Sequence, residues 1–107
     1  GYDELILVAA KDGLDNPNLP KVITALEAAT QYMVNNPQDA WEPFIKGRAE
    51  LPDNELNRRA WRDTLPRFAL RPAAMDKGRY ARFEAFLLDQ GLIDKTTPMG
   101  DYAIELE

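Results

Sequence analysis

The segment from Leu19 to Asn35 carries the most regular apolar pattern in the chain. Its apolar side chains recur at gaps of three and four residues, which places them on one face of an α-helix. The opposite face is polar, so the pattern predicts a central amphipathic helix along which the later helices pack. The stripe consists of Leu19, Val22, Ile23, Leu26, Ala29, Tyr32 and Met33.

Capping residues and prolines predict three further helices. Asn36 before a proline is typical of a helix start, and Asp53 and Asp76 are the side chains expected to cap the next two helices. Pro43 removes one main-chain donor and is expected to kink or shorten the second helix. Gly91 is expected to end the fourth helix in a left-handed conformation. The predicted helices cover residues of about 17–35, 37–46, 54–66 and 77–90.

The inner faces of these helices are expected to form the core. Trp41 and Trp61 have aliphatic neighbours at helical spacing, which favours core packing over a stacking platform for a flat ligand. The predicted inner faces consist of Trp41, Phe44 and Ile45 in the second helix, Leu56, Ala60, Trp61 and Leu65 in the third, and Tyr80, Phe83, Phe86 and Leu87 in the fourth.

The apolar run from Leu5 to Ala9 does not alternate with polar residues, which is typical of a strand buried on both faces. We predict a strand over residues 4–9. A strand needs neighbours that satisfy its main-chain groups, and the sequence offers no second good strand. We therefore expect the chain to be part of a larger protein. We also expect the isolated chain to form a homodimer through the run from Leu5 to Val8.

The residue types that are absent narrow the possible chemistry. The chain of 107 residues contains no cysteine and no histidine, which excludes Ser–His and Cys–His catalysis and zinc fingers. Eighteen acidic and 13 basic residues give a net charge of −5, which disfavours a non-specific nucleic acid binder. No glycine pattern typical of phosphate binding is present. The sequence predicts neither an enzyme nor a metal or cofactor site.

Five arginines lie close together in the third predicted helix and the turn after it. Such a cluster can bind anions, or it can be a solvated helix face that carboxylates neutralise. Glu55 can reach Arg58 and Arg59 across one helical turn, and ion pairing is therefore the favoured interpretation. Asp63 can reach Arg59 in the same way. The alternative function is a helical protein-interaction domain that binds through the stretch from Arg58 to Arg62. The five are Arg58, Arg59, Arg62, Arg67 and Arg71.

Four groups of residues, taken in order and spacing, are similar to one known family. The first group is residues 2–9, and the third is residues 56–61 with 64–68. The second group consists of Asn16-Pro17, residues 25–32, Asn36-Pro37, Ala40-Trp41 and Phe44-Ile45. The fourth group consists of Arg79-Tyr80, Phe83, Phe86-Leu87, residues 91–93 and residues 101–103. Together they resemble the C-terminal part of the thiamine-pyrimidine-precursor binding proteins. These are the substrate-binding components of ABC importers, related to the "no message in thiamine" and thiamine-pyrimidine synthase family. Pro43 departs from the helix-favouring residue that the family pattern implies.

The resemblance implies a mainly α piece, with one N-terminal strand and about four helices, from an α/β type II periplasmic-binding-protein fold. In that fold two lobes close over a hydroxymethylpyrimidine or formylaminopyrimidine-type ligand, which is then delivered to an ABC permease. The implied location is periplasmic, or extracellular and membrane-anchored, with a signal sequence outside this chain. Tyr2 and Glu4, nearest the crossover between lobes, are the ligand neighbours that the resemblance implies here, and most of the pocket lies upstream.

Overall fold

Four α-helices make up most of the regular structure in residues 5–106, the part of the chain that the computed structural model describes. Within this range short 3-10 turns accompany the helices and there is no strand. The mainly helical class is therefore confirmed. The chain divides into two compact units, one formed by Lys21–Pro72 and one by Gly1–Pro20 with Ala73–Glu107. The helices are α1 (Leu19–Asn35), α2 (Pro37–Lys46), α3 (Glu55–Thr64) and α4 (Lys77–Asp89).

The predicted strand over residues 4–9 is not formed in its described part. Residues 5–10 have no regular structure, and Leu5 and Val8 are 91% and 84% exposed. A strand depends on a neighbouring strand for its main-chain hydrogen bonds, and no other strand exists in residues 5–106. The apolar pattern alone therefore does not produce a strand here. Glu4 lies outside the described residues, and dimerisation through this run stays a prediction.

The apolar stripe of α1 is only partly covered. Val22 and Tyr32 are each 52% exposed, whereas the α1 side chain that is buried is the polar Thr30. Within the unit Lys21–Pro72, α2 and α3 therefore do not cover this part of the stripe, and the expectation that they pack along it is wrong there. Periodicity indicates which face of a helix is apolar, whereas burial depends on which other elements pack against that face.

Three aromatic rings join α2 to α3. Phe44 stacks on Trp61 with ring centroids 4.6 Å apart, and Trp41 meets the Trp61 ring edge-on at 5.6 Å. The Trp61 indole N–H donates a hydrogen bond of 2.8 Å to the Pro37 carbonyl at the start of α2. Aromatic pairs in such orientations stabilise a fold beyond the area they bury. Both tryptophans are partly buried and pack against neighbouring rings, and we call Trp41, Phe44 and Trp61 the ring cluster.

Burial on α2 and α3 follows from helical geometry. Ala40 and Leu65 are 5% and 3% exposed, and α2 continues through Pro43 as far as Lys46. Leu56, predicted on the inner face of α3, is 75% exposed. At 3.6 residues per turn, Leu56 lies about 140° around α3 from Trp61, so the two side chains cannot share a face. The prediction for Leu56 is wrong.

Both ends of α4 follow the capping residues in the sequence. The Asp76 side chain accepts a hydrogen bond of 3.0 Å from the Arg79 N–H. At the other end Gly91 has a φ of +72°, and the Leu92 N–H donates to the Leu87 carbonyl at 2.9 Å. This is the Schellman arrangement, in which a left-handed glycine turns the chain back on the last helical carbonyls. The predicted left-handed glycine is confirmed.

Helix bounds differ from the predicted ones where local turns intervene. α1 begins at Leu19 rather than at residue 17, because the Asn16 side chain accepts the Asn18 N–H at 2.9 Å and forms a turn before the helix. α3 ends at Thr64 rather than at residue 66, and a 3-10 turn over Leu65–Arg67 follows it. That turn contains Pro66, which cannot donate to the last carbonyls of an α-helix.

Replacing the central ring of the ring cluster tests its contribution to stability. Trp61→Ala removes both ring contacts and the hydrogen bond to Pro37, and we expect the free energy of unfolding to fall by about 3–5 kcal/mol. Trp61→Phe keeps a ring but removes the N–H donor, and we expect a loss of about 1 kcal/mol. Denaturant unfolding measures both. A loss below about 1 kcal/mol for Trp61→Ala, the range of surface substitutions, contradicts the assignment of Trp61 to the core.

Candidate functional site

The predicted ligand neighbours Tyr2 and Glu4 lie outside the described residues, so the structure does not place them. The described part of the chain places the other candidate group, the arginines, on α3 and in the turn that follows it. Within residues 5–106 there is no cluster of three acidic side chains arranged to hold a metal ion. None of the described helices combines the length and the apolar character needed to cross a membrane.

Asn54, not Asp53, caps α3. The Asn54 side chain accepts a hydrogen bond of 2.9 Å from the Asn57 N–H. Asp53 has a different role, because its Oδ1 atom accepts hydrogen bonds from Trp41 Nε1 at 3.2 Å and from Arg58 Nε at 2.7 Å. One carboxylate oxygen thus ties the ring cluster on α2 to the first turn of α3. No local sequence signal indicates this link, since Trp41 and Asp53 are 12 residues apart.

The Asp53–Arg58 contact shifts the pKa of both groups. The hydrogen bond from Arg58 holds the pKa of Asp53 below its ordinary value of 3.8, with a smaller contribution from Trp41 and partial opposition from desolvation. The same hydrogen bond raises the pKa of Arg58. Both side chains are about half exposed, so solvent screens the pair and it contributes little to stability.

Carboxylates also pair with the other two arginines of α3. Arg59 Nε lies 3.8 Å from Asp63 Oδ2, and the predicted pairing of these two residues is confirmed. Arg62 Nη2 lies 2.9 Å from Glu55 Oε1, so the predicted pairing of Glu55 with Arg58 or Arg59 is wrong. Residues seven apart return to the same face of a helix, which explains how Glu55 reaches Arg62.

This arrangement weakens the interpretation of α3 as an anion-binding surface. Arg58, Arg59 and Arg62 each have a carboxylate within 4.0 Å, and an anionic ligand would have to displace it. The ring cluster is equally engaged, because the Trp41 and Trp61 indole N–H groups both donate within the fold. The polar groups of α3 and of the ring cluster therefore have partners within the described part of the chain.

A groove of about 440 Å³ lies in the unit that contains α4. Met75, Met99 and Ile104 supply apolar lining, and Lys77 and Glu105 supply the charged groups. Glu105 Oε1 accepts a hydrogen bond of 3.2 Å from the Met75 N–H, which ties the C-terminal residues to the segment before α4. A small-molecule site needs several polar groups that converge on an enclosed ligand. The groove lacks that convergence, so we assign it no ligand.

One curated protein shows what the whole chain is similar to. A Haemophilus influenzae protein named "Putative thiamine biosynthesis protein" is 40% identical to it over 106 residues. The alignment covers 99% of this chain but 34% of the relative, so the chain spans about a third of the length of the relative it matches. No protein-family profile and no solved structure matches the chain.

The pKa of Asp53 tests the contact that links α2 to α3. We expect Asp53 to titrate below 3.8 in the folded protein, and Arg58→Gln to raise its pKa because the main hydrogen bond is lost. The matched control is Arg59→Gln, since Arg59 pairs with Asp63 and should leave the Asp53 titration unchanged. Carboxyl-carbon NMR measures each titration. An equal rise in both variants means that the general field of α3, not the Arg58 hydrogen bond, lowers the pKa.

The same contact sets a direction for the pH dependence of stability. Because folding depresses the pKa of Asp53, the contribution of the pair is fully present above the unfolded-state pKa near 3.8. It is lost as the pH falls through the lower pKa of the folded protein. Because solvent screens the pair, we expect Asp53→Asn to reduce only slightly the difference in unfolding free energy between about pH 6 and about pH 3, values above and below the ordinary carboxyl pKa. Urea unfolding at the two pH values measures this difference.

Proposed function

We propose that this chain is part of the substrate-binding component of an ABC importer for a pyrimidine precursor of thiamine. The observation that carries the proposal is the 40% identity, over 99% of the chain, to a protein named for thiamine biosynthesis. The four groups of residues that resemble thiamine-pyrimidine-precursor binding proteins extend from residue 2 to residue 103 and support the same function. The proposed ligand is a hydroxymethylpyrimidine or formylaminopyrimidine, the proposed partner is the permease, and the proposed location is periplasmic or membrane-anchored outside the cell.

Exposed apolar side chains support a place within a larger protein. In residues 5–8 each aliphatic side chain is more than half exposed, and the stripe of α1 exposes Val22 and Tyr32 in the same way. Burying one such side chain contributes about 1.5–3 kcal/mol, so covering residues 5–8 contributes as much as the whole stability of many small domains. About two thirds of the relative lies outside the alignment and supplies polypeptide that can provide this cover.

In this proposal the chain supports the ligand site rather than forming most of it. Residues 5–9 become a strand once neighbouring strands are present, and Tyr2 and Glu4 then lie beside the ligand. The helices described above form the outer part of a lobe, in which the ring cluster and the Asp53 contact hold α2 against α3. Binding and release of the ligand need no covalent chemistry.

Ligand binding tests the proposal directly. We expect the full-length protein that contains this chain to bind hydroxymethylpyrimidine with saturable heat in isothermal titration calorimetry. We expect the 107-residue chain alone to show none, because a concave pocket buries most of its ligand and needs all of its walls. The thiazole moiety of thiamine is the control ligand and should not bind. Failure of the full-length protein to bind any thiamine pyrimidine overturns the proposed substrate, and saturable binding to the isolated chain moves the site into these helices.

Glu4 offers a sharper test of the predicted ligand neighbours. In the full-length protein, Glu4→Gln removes a charged acceptor and should weaken pyrimidine binding about tenfold, which corresponds to about 1.4 kcal/mol. Asp3→Asn is the matched control, because it removes the same charge one residue earlier and should leave the affinity unchanged. Calorimetry measures both. Equal losses in the two variants contradict a specific role for Glu4.

A further inference from the structure

One side of α1 is apolar over about three turns and largely exposed. At about 100° per residue, the apolar side chains of this side fall within an arc of about 120° around the helix axis, and no charged residue of α1 falls there. We call this arc the outer face of α1. It consists of Val22, Ala25, Leu26, Ala29, Tyr32 and Met33, which all belong to the unit Lys21–Pro72.

The exposure of the outer face is the reverse of what an amphipathic helix normally shows. Val22 and Tyr32 are each 52% exposed and Leu26 is 38% exposed, whereas the polar Thr30, which lies outside this face, is 9% exposed. Helices of globular proteins turn an apolar arc of about 100° or more toward a core. The outer face has that width, and the described residues leave most of it in water.

The composition of the outer face limits what can cover it. Its side chains carry no charge, and the Tyr32 hydroxyl is the one strong hydrogen-bonding group among them. A charged or strongly polar partner would lose its hydrogen bonds to water at this face without replacing them, and buried polar groups need such replacement. The outer face therefore fits an apolar protein surface.

Two sources of an apolar surface can be compared, a second copy of the chain and polypeptide joined to it in a longer protein. The alignment with the relative covers 99% of this chain but 34% of the relative, so most of the relative is available as joined polypeptide. A joined segment has a high effective concentration and loses little translational freedom when it docks. A second copy loses that freedom and also brings one net charge of −5 toward another. The comparison favours the joined polypeptide.

We propose that the outer face of α1 docks on an apolar surface of the polypeptide that lies outside this chain in the longer protein. The contact is made by side chains of a formed helix, so it does not depend on residues 5–9 becoming a strand. Contiguous exposed apolar faces are uncommon on monomeric proteins and mark contact sites, which agrees with this assignment. The inference rests on the proposed function only in placing the chain within a longer protein, and it requires no ligand.

Thiol labelling tests this contact, because the chain has no cysteine of its own. Ala29→Cys places a thiol in the middle of the outer face. Ala28→Cys is the matched control, because it places the same group about 100° away around the helix, and both alanines are exposed in the structure. In the full-length protein we expect the Ala29→Cys thiol to react with a maleimide at least about tenfold more slowly than the Ala28→Cys thiol. In the 107-residue chain the two should react at similar rates, and peptide mass mapping assigns the label in each protein.

Each other outcome overturns the proposal and indicates what replaces it. Equal rates for the two variants in the full-length protein mean that the outer face makes no specific contact. Slow labelling of Ala29→Cys already in the 107-residue chain assigns the cover to a second copy if it increases with protein concentration, and to the chain itself if it does not. Circular dichroism checks that both variants keep their helices. Labelling is done without pyrimidine, so a full-length protein that protects the outer face but binds no pyrimidine contradicts the proposed substrate and not this contact.

Discussion

The packing of Trp61 between α2 and α3 is the interaction on which the described fold most depends. Its ring contacts Phe44 and Trp41, and its indole N–H donates a hydrogen bond to the Pro37 carbonyl at the start of α2. Ala40 and Leu65, the apolar side chains with the least exposure, belong to the same two helices or to the turn that follows them. Asp53 adds a polar tie to this contact, because it binds a ring of the cluster and an arginine of α3 through one oxygen.

The parts of the fold that the sequence predicts well are those determined within one helical turn. Asp76 and Gly91 act on the main chain of residues next to them, and both behave as their residue types indicate. The exposure of the α1 apolar stripe could not be predicted, because burial depends on segments distant in the chain, whereas the exposure of Leu56 agrees with its angle of about 140° from Trp61 around α3. The strand predicted from Leu5 onward failed for the same reason, since a strand requires hydrogen-bonding partners that no local pattern supplies.

The candidate site shows the same division between local and distant information. The pairing of Arg59 with Asp63 follows from spacing on one helix and was predictable. The N-cap of α3 was not predictable, because Asp53 and Asn54 are both good capping residues. Asp53 instead accepts a hydrogen bond from the distant Trp41 indole. The functional proposal rests on the resemblance to thiamine-pyrimidine-precursor binding proteins and on the identity to one relative. The shape and charge of the described residues do not by themselves indicate a ligand pocket.

The exposed run from Leu5 to Val8 has a consequence for how such a protein is made and maintained. Short aliphatic segments without charge or proline are the kind that chaperones hold and that stack into cross-β aggregates when left uncovered. Cellular proteases act on chains whose apolar segments are accessible, and they spare chains in which those segments are packed. A copy of the chain in which this run stays uncovered is therefore expected to be more prone to aggregation and proteolysis than a copy in which another segment packs on it.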